Sequence, residues 1–357
     1  MWPYFILFLV PAYLAFREQA ESELPSLSGQ TQNQSLGWWI AGITIALMVG
    51  LRHEVGGDWN NYERNFFNAA YGGVLDALTG DDPGYRLLEW LAIELDLGIH
   101  FVNLCGAFIF ASGLVVFCRN LPRPWLALTV AVPYLVIVVG MGYARQGIAL
   151  GCLMIGLVAL NNYRVRAFVA WALLAGLFHK SAVLVLPMAA LAASHNRWLT
   201  ILWVGVVAVS AYFFLLESAV EQLRAGYLEA SYQSEGALVR LTMNAIPALI
   251  FLAKYKEFSQ SYVNGRLWGA MALMAILLLG AFFVVESSTA VDRIALYLLP
   301  LQLVVFAAAP VALKQSAEAT AQRTGGAFRN VSTYTTLYYG FALVVWLVFA
   351  THSYAWV

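Results

Sequence analysis

Long apolar runs separated by short polar stretches dominate the chain. Leu36–Gly50, Phe101–Phe117, Leu126–Val139, Leu199–Leu216, Leu267–Val285 and Leu337–Ala350 are nearly free of charge. Each approaches the length that crosses about 30 Å of hydrocarbon. With no water there to satisfy the backbone, each is read as a helix. Ten-residue segments of alternating hydrophobicity, the signature of an outer-membrane barrel, are absent from the pattern. It predicts an all-α polytopic membrane bundle. Spans are expected at 2–16, 36–51, 98–118, 124–141, 144–161, 166–179, 181–194, 198–216, 238–253, 267–285, 293–312 and 334–350, about twelve by the 30 Å criterion.

Two stretches depart from this regularity. The spans at 166–179 and 181–194 are short and meet at Phe178-His179-Lys180-Ser181, with Pro187 in the second. They form either two thin crossings or a re-entrant hairpin. Asp82–Leu97 carries apolar residues at helical spacing with ionisable side chains between them, which predicts an amphipathic helix lying at the interface. The external connections are then 52–97 and 217–237, within a single transmembrane domain covering 1–357. Trp2–Phe16 lacks a basic leader and a small-x-small cleavage site, so it is read as a retained first span.

Composition narrows the function classes. The chain is 61% hydrophobic and 11% charged with zero formal net charge, so no global field points to nucleic acid. Cys105, Cys118 and Cys152 sit in or beside apolar segments without metal-ligand spacing, and are read as small packing residues. Alternating the spans places Arg17, Arg119, Arg123, Arg164, Arg166, Arg197, Lys254, Lys256, Arg266, Lys314, Arg323 and Arg329 on one side. The positive-inside rule makes that side cytoplasmic. Five polar clusters then converge on the outer face, where no ATP is present and chemistry requires an already activated substrate.

The first cluster is Leu51–Phe67, which packs Arg52, His53, Glu54, Asp58, Glu63 and Arg64 beside an apolar span. Charge in lipid costs roughly 2.5–3.5 kcal/mol per group at the bilayer centre, so such groups are kept where they have partners or work. Arg52 suits phosphate or carboxylate, and Asp58 a general base; the bland alternative is an Arg52–Asp58 pair that fixes the loop. Gly56-Gly57 allows a sharp turn or close approach to a ligand. In the second, Gly140–Gly147, Arg145 and Gln146 open a helix where free N–H groups would cradle an anion; otherwise Arg145 snorkels to headgroups.

The third is His179-Lys180-Ser181, where His179 is a candidate acid or base, or a hinge held by a carbonyl. In the fourth, Asp292-Arg293 with Tyr297, Asp292 either pairs with Arg293 or orients it toward a ligand. Arg240 is a further outward cation. The Glu217–Gly236 connection, with its tyrosines and carboxylates, fits carbohydrate contact or any solvated loop. No ligand spacing links His53, His179 and the carboxylates, and no metal is expected.

These residues carry a resemblance to the EpsG family, the Wzy-like polymerases of exopolysaccharide and O-antigen assembly. The segments are LRHEVGGDWNNY at 51–62, DPGYRLLEWL at 82–91, YARQGIALG at 143–151, LFHKSAVLVLP at 177–187 and DRIALY at 292–297, in that order. The resemblance implies a bundle like the membrane-embedded GT-C glycosyltransferases. It also implies metal-independent, inverting transfer of repeat units carried on undecaprenyl pyrophosphate, on the periplasmic face and without a cofactor. Arg52, Arg145, Arg293 and Arg240 would neutralise the departing pyrophosphate. Asp58 or His179 would take the acceptor proton, with His53, Tyr62, Gln146, Lys180, Asp292 and Tyr297 lining the substrate site. A chain-length regulator and a flippase of the same pathway are the expected partners, besides the bilayer. The rival readings are a flippase of the lipid-linked oligosaccharide, an O-antigen-type ligase, and an acyl-transferring enzyme.

Overall fold

The computed structural model describes residues 1–23, 34–188, 197–211, 236–260, 264–285, 288–319 and 327–349. Among them are sixteen α-helices. The first half comprises α1 (Trp2–Glu23), α2 (Gln34–Gly50), α3 (Trp59–Ala69), α4 (Val74–Thr79), α5 (Pro83–Glu94), α6 (Gly98–Arg119), α7 (Pro124–Ala131), α8 (Ala144–Asn161) and α9 (Val165–Phe178). The second comprises α10 (Arg197–Ala211), α11 (Ala237–Ala253), α12 (Tyr255–Ser259), α13 (Gly265–Phe282), α14 (Ser288–Ala295), α15 (Pro300–Ala319) and α16 (Ala327–Phe349).

Five helical stretches are long and apolar enough to cross a membrane: Gly98–Arg119, Ala144–Asn161, Gly265–Phe282, Val291–Leu313 and Val331–Phe349. Shorter apolar helices occupy Leu36–Gly50, Pro124–Gly140, Val165–Phe178, Thr200–Ser210 and Ala237–Ala253. The fold is therefore all-α, and its composition and helix lengths are those of a multi-pass membrane protein. α1 covers the expected first span and runs past it to Glu23. The expected span 181–194 is different in kind. Its described part is a 3-10 turn, Lys180–Val185, that folds against α9. A turn follows at 186–187; residues 189–194 of that span, and the 217–235 connection, lie outside the described residues.

The centre of the bundle is α6 against α8, flanked by α2 and α9. Small residues allow the close crossing. A Cβ on Gly113 would collide with the Gly151 carbonyl, and one on Gly151 would sit 2.7 Å from the Phe110 Cα. α7 continues into a π-helix, Val132–Gly140. Pro133 cannot donate to the carbonyl four residues back, which loosens the α-helical ladder at that point. The backbone then bends at Tyr143 before α8 begins. At one end of the bundle Arg123 reaches back to α1, bonding Glu18 Oε2 at 3.3 Å and the Ala15 carbonyl at 3.0 Å.

α5 turns two polar side chains inward. Tyr85, Glu89 and Ala92 are buried against the bundle, whereas Leu87 and Leu91 are exposed. It ends at Glu94 instead of Leu97.

Candidate functional site at the loop-bearing end of the bundle

Two glycines bring the distant motifs together. Gly56 has a φ of +103°, and a Cβ there would lie 2.7 Å from the Met141 carbonyl oxygen. Only glycine lets the 51–58 loop rest on the turn that precedes α8. Gly57 meets nothing within 4 Å, so the constraint belongs to its neighbour. At Gly84 a Cβ would sit 3.1 Å from the Leu177 carbonyl, because the start of α5 presses on the end of α9. The fifth motif joins through Gln146, whose Nε2 donates to the Arg293 carbonyl at 2.7 Å.

Asp82 is the hub of the resulting cluster. It takes a left-handed backbone, φ 52°, immediately before Pro83 opens α5. This conformation is uncommon for a residue with a side chain, although aspartate tolerates it better than most. It turns the carboxylate inward until only 5% of the residue is exposed. Oδ1 accepts the backbone N–H of Lys180 at 3.0 Å. Oδ2 faces both Arg145 Nη1 and His179 Nδ1 at 3.4 Å. Burial alone would raise the carboxyl pKa. The His179 hydrogen bond, the charges of His179 and Arg145, and the Lys180 N–H reverse this and hold it below the usual carboxylate range. Asp82 therefore stays ionised at neutral pH.

Arg145 lies on an aromatic shelf, its guanidinium carbon 4.8 Å from the Tyr85 ring centre and 5.9 Å from that of Tyr62. Such contacts are worth about 0.5–2 kcal/mol, more as water is excluded. Burial pushes the Tyr62 phenol up to about 12 despite the nearby arginine, and raises Tyr85 as well, so both rings stay neutral. The Arg145 Nε is buried without a partner among the described residues.

The expected site residues differ in how far the fold commits their side chains. His179 is turned by Asp82; with the proton on Nδ1, its Nε2 is an acceptor. Arg293 is exposed and makes no ion pair among the described residues. Asp58 is half-buried at the start of α3, with Asn61 Nδ2 at 3.5 Å. These three remain available. Lys180 is committed to Asp81, Nζ to Oδ1 at 3.0 Å. Tyr297 bonds Ser181 Oγ at 2.9 Å and contacts the Gln146 side chain. Gln146 thus ties α8 to α14, and its amide nitrogen is not a free donor.

Several pairings differ from those expected. Asp292 neither pairs with Arg293 nor orients it. Instead it holds Arg240 through two bonds of 2.6 Å, across 52 residues of sequence. Arg52 does not pair with Asp58. It turns inward, 6% exposed, donating to the Val49 carbonyl at 2.7 Å and to Asn103 Oδ1 at 3.2 Å, with Trp59 6.0 Å away. Burial makes it an anchor for the loop, where an open anion ligand had been expected. His53 is solvent-exposed beside Glu54, its ring 5.6 Å from those of Trp59 and His100.

Sequence reasoning did not single out Asp82, Tyr85 or Glu89. Their spacing of three and then four residues along a helix that starts at Pro83 places all three on one face. Two carboxylates and a tyrosine on the buried face were the available signal. Among the described residues no group of three or more His, Cys, Asp or Glu could hold a metal ion.

No curated protein and no solved structure matches the chain. The model of the EpsG family does, over residues 36–355, which takes in each of the five motifs and every element of the cluster around Asp82. The chain therefore belongs to the EpsG family, which is linked to exopolysaccharide biosynthesis.

Proposed function

We propose that the protein is a polysaccharide polymerase that joins oligosaccharide repeat units carried on undecaprenyl pyrophosphate. The carrying observation is the Asp82 hub, which fixes Arg145 on its aromatic shelf and His179 beside it. In this reading the helices make about twelve crossings, as the 30 Å hydrocarbon span suggests, with the cluster on the periplasmic side.

The acceptor hydroxyl attacks the anomeric carbon of the donor as His179 Nε2 takes its proton. The bond from that carbon to the pyrophosphate oxygen breaks with inversion, and the lipid pyrophosphate departs with the electron pair. Arg145 and Arg293 stabilise the charge that develops on it, a preorganised electrostatic role. Arg52 and the Arg240–Asp292 pair hold the loops that carry these groups. Asp82 orients the imidazole and selects its tautomer, so His179 is favoured over Asp58 as the base.

The test uses purified protein and a lipid-pyrophosphate-linked repeat unit, without nucleotide and with a chelator, products being resolved on a gel. A ladder is expected that disappears in Arg145→Ala. It should slow roughly 10²–10⁴-fold in His179→Gln, the usual worth of a general base, and far less in Asp58→Asn. Protein-dependent movement of the lipid across liposomes with no ladder would overturn the polymerase in favour of a flippase.

A further inference from the structure

A second opening lies beside the cluster. It is a cleft of about 320 Å³ between α3, α4 and α5, lined by Asn65, Asn68, Asp76, Arg86, Glu89 and Trp90. Arg145 forms part of its wall and so belongs to both the cleft and the Asp82 hub.

Its least satisfied group is Glu89. The residue is 3% exposed, and its Oε1 has no hydrogen-bond partner among the described residues. Leaving a buried acceptor unmade costs roughly 1–3 kcal/mol, more when it is charged, so a fold keeps one where something else completes it. Trp90, half-exposed, adds an apolar ring face to a lining that is otherwise carboxylate, amide and guanidinium. Flat aromatic area flanked by carboxylate and amide acceptors is the chemistry that holds a pyranose. The ring lies on the indole while its hydroxyls donate to oxygens at the sides.

The charge balance narrows the sugar. Arg145 is already paired with Asp82, and Asp81, also at the cleft, is paired with Lys180. The lining carries three carboxylates, Asp76, Asp81 and Glu89, against two guanidinium groups, Arg86 and Arg145, which leaves no surplus cation for an acidic sugar. The volume is at the low end of the ~300–1,000 Å³ typical of small-ligand sites, and the polar walls do not suit a lipid tail.

We propose that this cleft is a carbohydrate subsite that holds an uncharged sugar of the acceptor unit and presents its hydroxyl toward Arg145 and His179. This assignment rests on the polymerase reading above.

The test is binding, independent of turnover. Purified full-length protein in detergent is mixed with a methyl glucoside, a methyl N-acetylglucosaminide or a methyl glucuronide, and saturation transfer to each sugar is read by NMR. Transfer to the two neutral glycosides is expected, with at least a fivefold weaker signal for the glucuronide. Trp90→Ala and Glu89→Gln should each lose the neutral signal, as should Asn68→Leu, an exposed position whose replacement leaves packing alone. Arg293→Ala, outside the cleft, should retain it. Equal signals in all variants, equal signals for charged and neutral sugars, or no signal from any sugar would overturn the subsite. A ladder formed without any sugar signal overturns the subsite and leaves the polymerase standing. Sugar binding without a ladder, lost in the three variants, overturns the polymerase and leaves the subsite.

Discussion

Replacing Asp82 with asparagine keeps the shape and removes the charge, so it isolates what the hub does. The amide of the Asp82→Asn variant retains an oxygen for the Lys180 N–H, while the contacts to Arg145 and His179 lose their anionic partner. Stranding one member of a buried ion pair costs roughly 3–5 kcal/mol. Here the cost is reduced, because the Arg145 side chain is 20% exposed and keeps its ring contacts. A loss of about 2–3 kcal/mol is the working figure. The pH dependence has a definite sign. Asp82 has a folded pKa below its unfolded value, so its stabilisation is present above the unfolded value of about 3.9. It fades as pH falls through the folded one. The variant should therefore be less stable than the wild type at pH 7, with the gap closing in acid. Polymerisation should fall roughly 10²–10⁴-fold if His179 is a base that depends on this carboxylate. The assay is a double-mutant cycle of Asp82→Asn with Arg145→Gln, read in both unfolding and ladder rate. A coupling of roughly 1–3 kcal/mol is expected. Additivity within about 0.5 kcal/mol, or ladder formation at half the wild-type rate in Asp82→Asn, would refute the hub.

Three further outcomes follow from the same geometry. Arg240→Ala removes the doubly bonded cation of the buried Asp292 and should cost roughly 3–5 kcal/mol of stability, whereas Arg293→Ala should leave unfolding unchanged and lower the ladder rate; paired melting and rate measurements separate the two. Gly56→Ala adds both a left-handed backbone penalty of about 1–2 kcal/mol and a clash with the Met141 carbonyl, and Gly57→Ala adds neither, so yield of folded protein by size-exclusion should drop only for the first. Glu89 has a pKa raised chiefly by burial, partly opposed by Arg145 and Arg86, so its ionised form disfavours folding as pH rises. Glu89→Gln should accordingly melt higher than the wild type at pH 8, the advantage disappearing below about pH 4, where the unfolded carboxyl of about 4.3 is also protonated.

The apolar runs were legible because lipid imposes a length and a secondary structure together. Five described helical stretches are long and apolar enough to cross a membrane, and each falls on an expected span. The site was legible as a set of motifs, since ionisable groups beside apolar spans are rare enough to mark themselves. Which group pairs with which was not. Asp58 stands six residues from Arg52 and Asp292 is adjacent to Arg293, and neither neighbour is the partner. The bonds that form link Asp292 to Arg240, Asp82 to Arg145 and Asp82 to His179, the last across 97 residues. Proximity in sequence carries little weight when a charge is buried. The desolvation penalty then selects whichever counter-ion the packing can bring to hydrogen-bond distance, and that choice is made by helix crossings such as Gly113 on Gly151 and Gly84 on Leu177. α5 shows the same principle in the sense of its amphipathicity. A soluble helix hides its leucines and shows its carboxylates to water. α5 instead leaves Leu87 and Leu91 exposed and buries Asp82, Tyr85 and Glu89 beside Arg145. A carboxylate on the buried face of such a helix is thus evidence of a partner within the bundle, and it was the sequence signal for the hub's acidic member.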